Sequence, residues 1–518
     1  MAAAEQTESK EMYHEMVKET GEHVLKSSDS EEMYRMGKDP QFRRLFRQST
    51  MIMFTSIVQQ TWEAVLIANG TGLLNGGLAG LVWSYVWTFA GFMLICLSLG
   101  EMASMAPTNG GQYHWVSEFA PRKYQRFLSY MSGWMSVLSW QAGLAGGSFL
   151  VGTIIQGTIA NYNHNYTPKA YQGTLFSIAI TTLGCSINIF LAKYLPRIQK
   201  LIVVPHAVGW IVIVVFLWVL APHASAKEVF TNFTSEGWQP IGLSMMVGQV
   251  TSVWFLIGSD SSAHLSEEVK DAGKSVPSAM MWTLMINGLI GFIVLVTFCF
   301  ALPDVTPVFD PEQNPSGFAF LYVFQNASYK GAIPLIALLL LNFTSGATDF
   351  AASTSRQLFA FARDGGTPFG PWLAQVQDEV APRNAIMVTW LISVLLSLIN
   401  LGSTIAFNAI ISLQLLALMS SYCLSIGCLV YQRLIGGHNL PPARWSLGRL
   451  SLPINLAAFL YSAFILFWVA WPQQREVTAE TFNWSSVMFV AVFVWSLTYY
   501  YMFGRKSYAG PVVLVRGR

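Results

Sequence analysis

Twelve apolar runs follow one another from residue 50 onward, with polar residues collecting between them. A helix rises about 1.5 Å per residue, so a run of roughly 20 residues can cross a hydrocarbon core about 30 Å thick. The runs predict membrane helices over roughly residues 50–75, 78–104, 128–159, 171–192, 198–221, 241–265, 278–302, 331–357, 384–402, 404–431, 452–471 and 484–504. Two of them are interrupted. In the sixth, Val253-Trp254-Phe255-Leu256-Ile257 gives way to Gly258-Ser259-Asp260-Ser261-Ser262, then to Glu267-Glu268-Val269-Lys270-Asp271 and Pro277. Ser and Asp offer the backbone competing hydrogen bonds, and irregular backbone at membrane depth survives only beside protein or a water-filled cavity. An ionisable residue there, Asp260, marks a functional site by default; the plainer reading is a helix that ends at Gly258 at the membrane surface. The first run carries a matching interruption at Thr61-Trp62-Glu63-Ala64, with Gly70 and Gly72 after it. Glu63 and Asp260 lie 197 residues apart, and the same offset carries the third run onto the eighth and the fifth onto the tenth. Paired broken helices in matching positions of two halves point to a midplane binding site. Five helices per half is an odd number, so the second half must be inverted in the membrane.

Composition narrows the class. Hydrophobic residues make up 53% of the 518 and charged residues 11%, against about 25% charged in soluble domains. This is an all-α integral membrane protein. A net charge of +2 argues against a nucleic-acid partner. Cys96, Cys185, Cys299, Cys423 and Cys428 all sit in apolar runs and read as packing residues, not as a disulfide framework or metal site. No cofactor is expected. The first fifty residues hold ten acids and eight bases, so no signal peptide is expected and the first apolar run is itself a span.

Charge also orients the chain. With the N-terminus inside, 26 of the 30 Lys and Arg fall on the cytoplasmic side; Lys169, Lys227, Lys330 and Arg475 fall outside. This is a strong positive-inside pattern. The sequons at Asn165, Asn232, Asn326 and Asn483 fall outside or at the outer boundary. The expected organisation is a partly disordered cytoplasmic tail over 1–48, a core of ten helices over 49–431, two further helices over 432–504, and a cytoplasmic tail over 505–518. Ser27, Ser28 and Ser30 make the first tail a place for regulatory modification, although a solvated tail is the plainer reading. The plasma membrane is the expected location, with the vacuolar membrane as the alternative.

Three motifs bring a resemblance into view. They are Glu101-Met-Ala-Ser-Met-Ala-Pro-Thr-Asn-Gly-Gly-Gln-Tyr-His-Trp115, the stretch Gly258–Pro277, and Ser355-Arg-Gln-Leu-Phe-Ala-Phe-Ala-Arg-Asp-Gly365. Over about residues 50–510 the chain resembles the amino acid–polyamine–organocation permeases, and within them the fungal choline and 4-aminobutyrate permeases. The resemblance implies a twelve-helix, 5+5 inverted-repeat (LeuT-like) transporter fold with helices 1 and 6 broken. It also implies alternating access, and proton or gradient coupling without a bound cofactor. The implied partners are a small amine or amino acid, the proton and the lipid bilayer. A nutrient sensor that keeps the fold but signals instead of transporting is the alternative. No nucleophile–base pair or metal cluster is seen in the loops, so an enzyme is not expected.

The site residues expected on this basis are Thr61, Trp62, Glu63, Ala64, Trp254, Gly258, Ser259, Asp260 and Ser261 for substrate. Half-helix termini and freed backbone groups there can serve a small polar solute. Trp254 takes the place of a family aromatic that closes over substrate, with Phe255 as runner-up. Many relatives carry a Gly-Ser-Gly-like run in the first span to receive a carboxylate, where this chain has Thr61-Trp62-Glu63-Ala64. Glu63 and Asp260 are expected side by side at mid-membrane, ringed by Trp62, Trp254 and Trp140, an arrangement that suits a cationic amine. Proton coupling is expected at His206, Asp260 and Asp349. Relatives often carry Lys nine residues after the Arg of an Arg-x-Gln motif, whereas Arg197-Ile-Gln199 here leads to His206. A neutral packed histidine is the plain alternative. Gly143-Leu-Ala-Gly-Gly147 reads as a close-packing face. Tyr113 and Trp115 read as interface residues, and Arg356, Arg363 and Asp364 as snorkelling or surface pairs.

Overall fold

The computed structural model describes residues 28–511, apart from 164, 236, 403–405, 436–439 and 479–480. Ser27, with the rest of residues 1–27, and residues 512–518 lie outside the described residues. Among the described residues, twelve helices are long and apolar enough to cross a membrane. They are Gln48–Leu74, Gly77–Met105, Gln125–Tyr162, Ala170–Phe190, Ala192–Leu220, Ile241–Glu268, Ala272–Phe300, Ala332–Arg363, Arg383–Leu401, Ala409–Ile435, Gly448–Val469 and Ser485–Ser507. In the first span 83% of the most apolar window is buried, against 22% in the fifth and 17% in the twelfth. The broken helices are thus central, and the lipid-facing ones lie at the rim.

Both breaks occur inside their spans. The first span is helical over Gln48–Gln59, turns left-handed at Gln60 (φ 46°), and resumes over Thr61–Ile67. The sixth is helical over Ile241–Leu256, extends at Ile257, and turns at Gly258 (φ 103°) into a 3-10 helix, Ser259–Glu268. Positive φ costs an L residue roughly 1–2 kcal/mol, which glycine escapes and Gln60 does not. The 197-residue offset carries Gln60 onto Ile257 and Gln59 onto Leu256. Gln59 Nε2 donates to the Leu256 carbonyl at 3.2 Å, so equivalent residues of the two halves touch at the breaks. The third span packs on the eighth, the second on the seventh and the fourth on the ninth, as such a repeat requires.

Residues 28–46, within the segment expected to be partly disordered, are packed against the face where the first span begins. Ser28–Arg35 is a helix. Asp29 accepts from the Asp271 and Ala272 amides at 2.8 and 2.9 Å, capping the seventh span from far away in sequence. Phe46 exchanges backbone hydrogen bonds with Glu268 and Lys270. Arg35 donates to the Met105 carbonyl and Arg44 to that of Val269.

Beneath this segment lies a buried ion-pair layer, which corrects the surface reading of Arg356, Arg363 and Asp364. Arg356 Nε meets Glu268 at 2.7 Å, and both are almost fully buried. Arg363 grips Glu267 with two bonds of 2.8 Å. Lys38 Nζ lies 2.9 Å from Asp364, with both side chains at 4% exposure or less. Tyr113 and Trp115 are not interface residues either. Both are wholly buried, in a short helix over Gln112–Phe119, and Tyr113 donates to Asp364 at 2.9 Å. Spacing within the motifs could not reveal this, because the partners come from separate parts of the chain.

Burial alone would raise the Asp364 carboxyl, but Lys38 and Arg363 outweigh it and hold it below the ordinary carboxylate range. The contact is therefore complete above that range, near pH 4, and is lost as pH falls through the depressed value. Removing one partner of a buried pair costs about 3–5 kcal/mol. Lys38→Met is expected to raise amide exchange across residues 28–46 at least tenfold at neutral pH. Adding Asp364→Asn should recover much of the loss. Unchanged exchange in Lys38→Met would mean that the pair does not hold the segment.

Candidate substrate-binding site

A narrow cavity of about 60 Å³ lies where the two breaks meet. Its walls come from the first span (Val58, Gln59, Gln60, Ala64), the sixth (Trp254, Ile257), the third (Gly143, Leu144, Gly147), the eighth (Phe343, Gly346, Ala347, Phe350) and the tenth (Gln414). Among the described residues, no charged side chain contributes to these walls.

The breaks supply the polar character. A helix ends with carbonyls that lack an intrahelical partner, and two half-helices, Gln48–Gln59 and Ile241–Leu256, end at this cavity. Their carbonyl ends carry partial negative charge. Gln59 Oε1 is buried without a hydrogen-bond partner among the described residues. Gln60 Nε2 donates to the Asn342 carbonyl, and Trp254 Nε1 to Gln414 Oε1 at 3.4 Å. The small residues have a second use here. A Cβ on Gly143 would strike the Phe350 ring at 2.5 Å, whereas one on Gly147 would meet nothing within 4 Å. The run Gly143–Gly147 therefore both seats an aromatic wall and opens space.

Of the residues expected to hold substrate, Ala64 and Trp254 line the cavity. Thr61, Trp62 and Glu63 follow the Gln60 turn and are fully buried. Glu63 Oε1 lies 2.7 Å from His206 Nδ1 and accepts from Asn342 Nδ2 at 3.0 Å. His206 Nε2 lies 3.4 Å from Asn287 Oδ1, and Trp62 Nε1 donates to the His206 carbonyl at 3.2 Å. Gly258, Ser259, Asp260 and Ser261 lie at the other break. Asp260 accepts from Gln112 Nε2 at 2.7 Å, and His264 stands 3.9 Å away. The two acids thus occupy separate networks rather than one pocket. Asp349 accepts from Gln199 at 2.7 Å, in a third. Trp140 packs on His264 and Phe350, with ring centroids 4.9 and 4.7 Å apart.

Sequence reasoning missed Gln59, Gln60, Gln414, Phe343 and Phe350. For the first two a signal existed. Gln59-Gln60 is a polar pair inside an apolar run, one residue ahead of the stretch singled out. Phe343, Phe350 and Gln414 look like ordinary members of their spans, and only the packing of the third, eighth and tenth helices brings them in.

Comparison with known proteins agrees with this architecture. A family model described as amino acid permease matches residues 46–494. An uncharacterized amino-acid permease of Schizosaccharomyces pombe is 27% identical over 513 residues, covering 98% of this chain and 93% of its own. Amino-acid permease 2 of Neurospora crassa is 27% identical over 490 residues, covering 92% and 88%. Amino-acid permease BAT1 of Arabidopsis thaliana is 27% identical over 459 residues, covering 85% and 88%. With twelve spans, two facing breaks and a match along nearly the whole core, the chain belongs to the amino acid permease family.

Proposed function

We propose that this permease carries a small solute with a positively charged amine, and that it couples uptake to protons through His206 and Glu63. The amine end faces the carbonyl ends of the two half-helices and the unpartnered Gln59 Oε1. Trp254, Phe343 and Phe350 present aromatic rings, each able to attract a cation by about 0.5–2 kcal/mol. Within this range a short amino acid is the first reading, since family membership favours it and the walls are uncharged. Choline or 4-aminobutyrate is the second, favoured by the three aromatic walls. The positive-inside pattern supports a cytoplasmic N-terminus.

The observation that carries the coupling is the 2.7 Å contact between His206 and Glu63. Glu63 belongs to the half-helix just beyond the Gln60 turn, and His206 to the rim-side fifth span. A tilt of the first helix around its break changes that contact directly. Histidine is the side chain suited to exchanging a proton in the physiological range, and the Glu63 carboxylate stands close enough to share it. A proton that binds while the site faces an acidic outside, and leaves when the pair separates, ties proton entry to substrate entry. Asp260 and Asp349 are the remaining candidate proton sites.

Four experiments test these readings in proteoliposomes. His206→Gln should keep substrate exchange while losing uphill uptake driven by a pH gradient. Pairing it with Glu63→Gln guards against the cost of a stranded buried acid. Gradient-driven uptake of normal size and pH profile in both variants would assign His206 a packing role. A panel of labelled neutral amino acids, choline and 4-aminobutyrate then ranks substrates. Gln59→Leu removes one charge-assisted acceptor, worth about 1.5–3 kcal/mol, so KM for the amine substrate should rise at least tenfold. Gly147→Leu should block uptake, and Gly147→Ala should spare it. If Gly147→Leu transports normally, the cavity is not the site.

A further inference from the structure

A second cleft, away from the breaks, lies on the N-terminal face between the start of the first span and the start of the fifth. It encloses about 500 Å³ and is lined by Arg47, Thr50, Lys193, Tyr194, Arg197 and Lys200 among others. Four cations converge there, and no acid is among the described lining residues. All four are exposed. None of them takes part in an ion pair among the described residues. This sets them apart from Lys38, Arg356 and Arg363 on the same face, each of which has a buried carboxylate partner.

Like charges gathered without counter-charge repel one another, so the cleft favours an anion. Two helices also begin here, Gln48–Gln59 and Leu195–Leu220, and their N-terminal ends add partial positive charge. The surroundings decide what kind of anion fits. Phe190, Leu201 and Val204, close in sequence to the lining residues, are 75%, 73% and 56% exposed. They belong to the rim of the helix bundle, where hydrocarbon chains lie. A ligand that satisfies both surfaces has an anionic head and an apolar tail.

We propose that this cleft binds the phosphate-bearing headgroup of an anionic membrane lipid, whose acyl chains run along the exposed face of the fifth span. Basic pockets between membrane helices are suited to such headgroups. Lys193 and Arg197 both lie over the Tyr194 ring, at 5.0 and 5.7 Å, which gathers two of the four cations at one lining side chain.

The test uses the purified full-length chain in detergent, with native mass spectrometry and thermal unfolding as readouts. Probes are phosphatidylinositol 4,5-bisphosphate, phosphatidylserine, phosphatidylcholine and soluble inositol trisphosphate. The wild type should retain the anionic lipids at least tenfold better than phosphatidylcholine. The variant Lys193→Gln/Arg197→Gln/Lys200→Gln should fall to the phosphatidylcholine level, with its Tm in phosphatidylcholine unchanged. Should that variant fail to fold, Lys200→Glu alone is expected to weaken retention several-fold. Full retention by a folded variant overturns the site. Equal stabilisation by soluble inositol trisphosphate overturns the lipid assignment, because the tail would then contribute nothing. None of these readouts depends on transport, so the outcome is separate from that of the substrate and proton reading.

Discussion

Inside a bilayer every backbone amide and carbonyl must find a partner, and interrupting a helix leaves several without one. This protein does so twice, at Gln60 and at Ile257–Gly258, and sets the two interruptions against each other. The pairing of Gln59 Nε2 with the Leu256 carbonyl shows the arrangement at its smallest scale: one half of the repeat satisfies a group freed in the other. The cavity, its aromatic walls and the buried acids on either side all take their positions from this meeting point. Neither half could hold its break alone.

Polarity in the membrane core is distributed rather than pooled. Glu63 with His206, Asp260 with Gln112, and Asp349 with Gln199 form separate networks, while the cavity itself is lined by neutral groups. A neutral wall with directed carbonyls can hold a charged solute without a fixed counter-ion. Glu63 and His206 meet beside the Gln60 turn, outside the lining of the cavity.

Much of this was legible in the chain. Run lengths located twelve spans. The interruption at Thr61-Trp62-Glu63-Ala64 placed the first break one residue late, and Gly258 to Ser262 placed the second, because short polar residues compete for backbone hydrogen bonds and irregular backbone at membrane depth needs protein around it. The pairing of Glu63 with His206 was also within reach, since both residues are ionisable and sit at mid-span. The cavity walls were not. Phe350 and Gln414 are set apart from their neighbours only by which way they point, and that depends on the packing of helices remote in sequence. The ion-pair layer was misjudged for a similar reason. Arg356, Arg363 and Asp364 sit at a helix end, where charges usually reach water, but residues 28–46 fold back over them.

That fold-back has a consequence for how the molecule is made. Asp29 caps the seventh span across 242 residues of sequence. At roughly 5–20 residues per second of synthesis, about 10–50 s separate the appearance of the carboxylate from that of the amides it receives. Throughout that interval the N-terminal segment has no seat, and the first five spans stand in the membrane without the partner half that completes their broken helix. The closing of this face is therefore a late event, available only to a chain whose second half has already entered the bilayer the right way up.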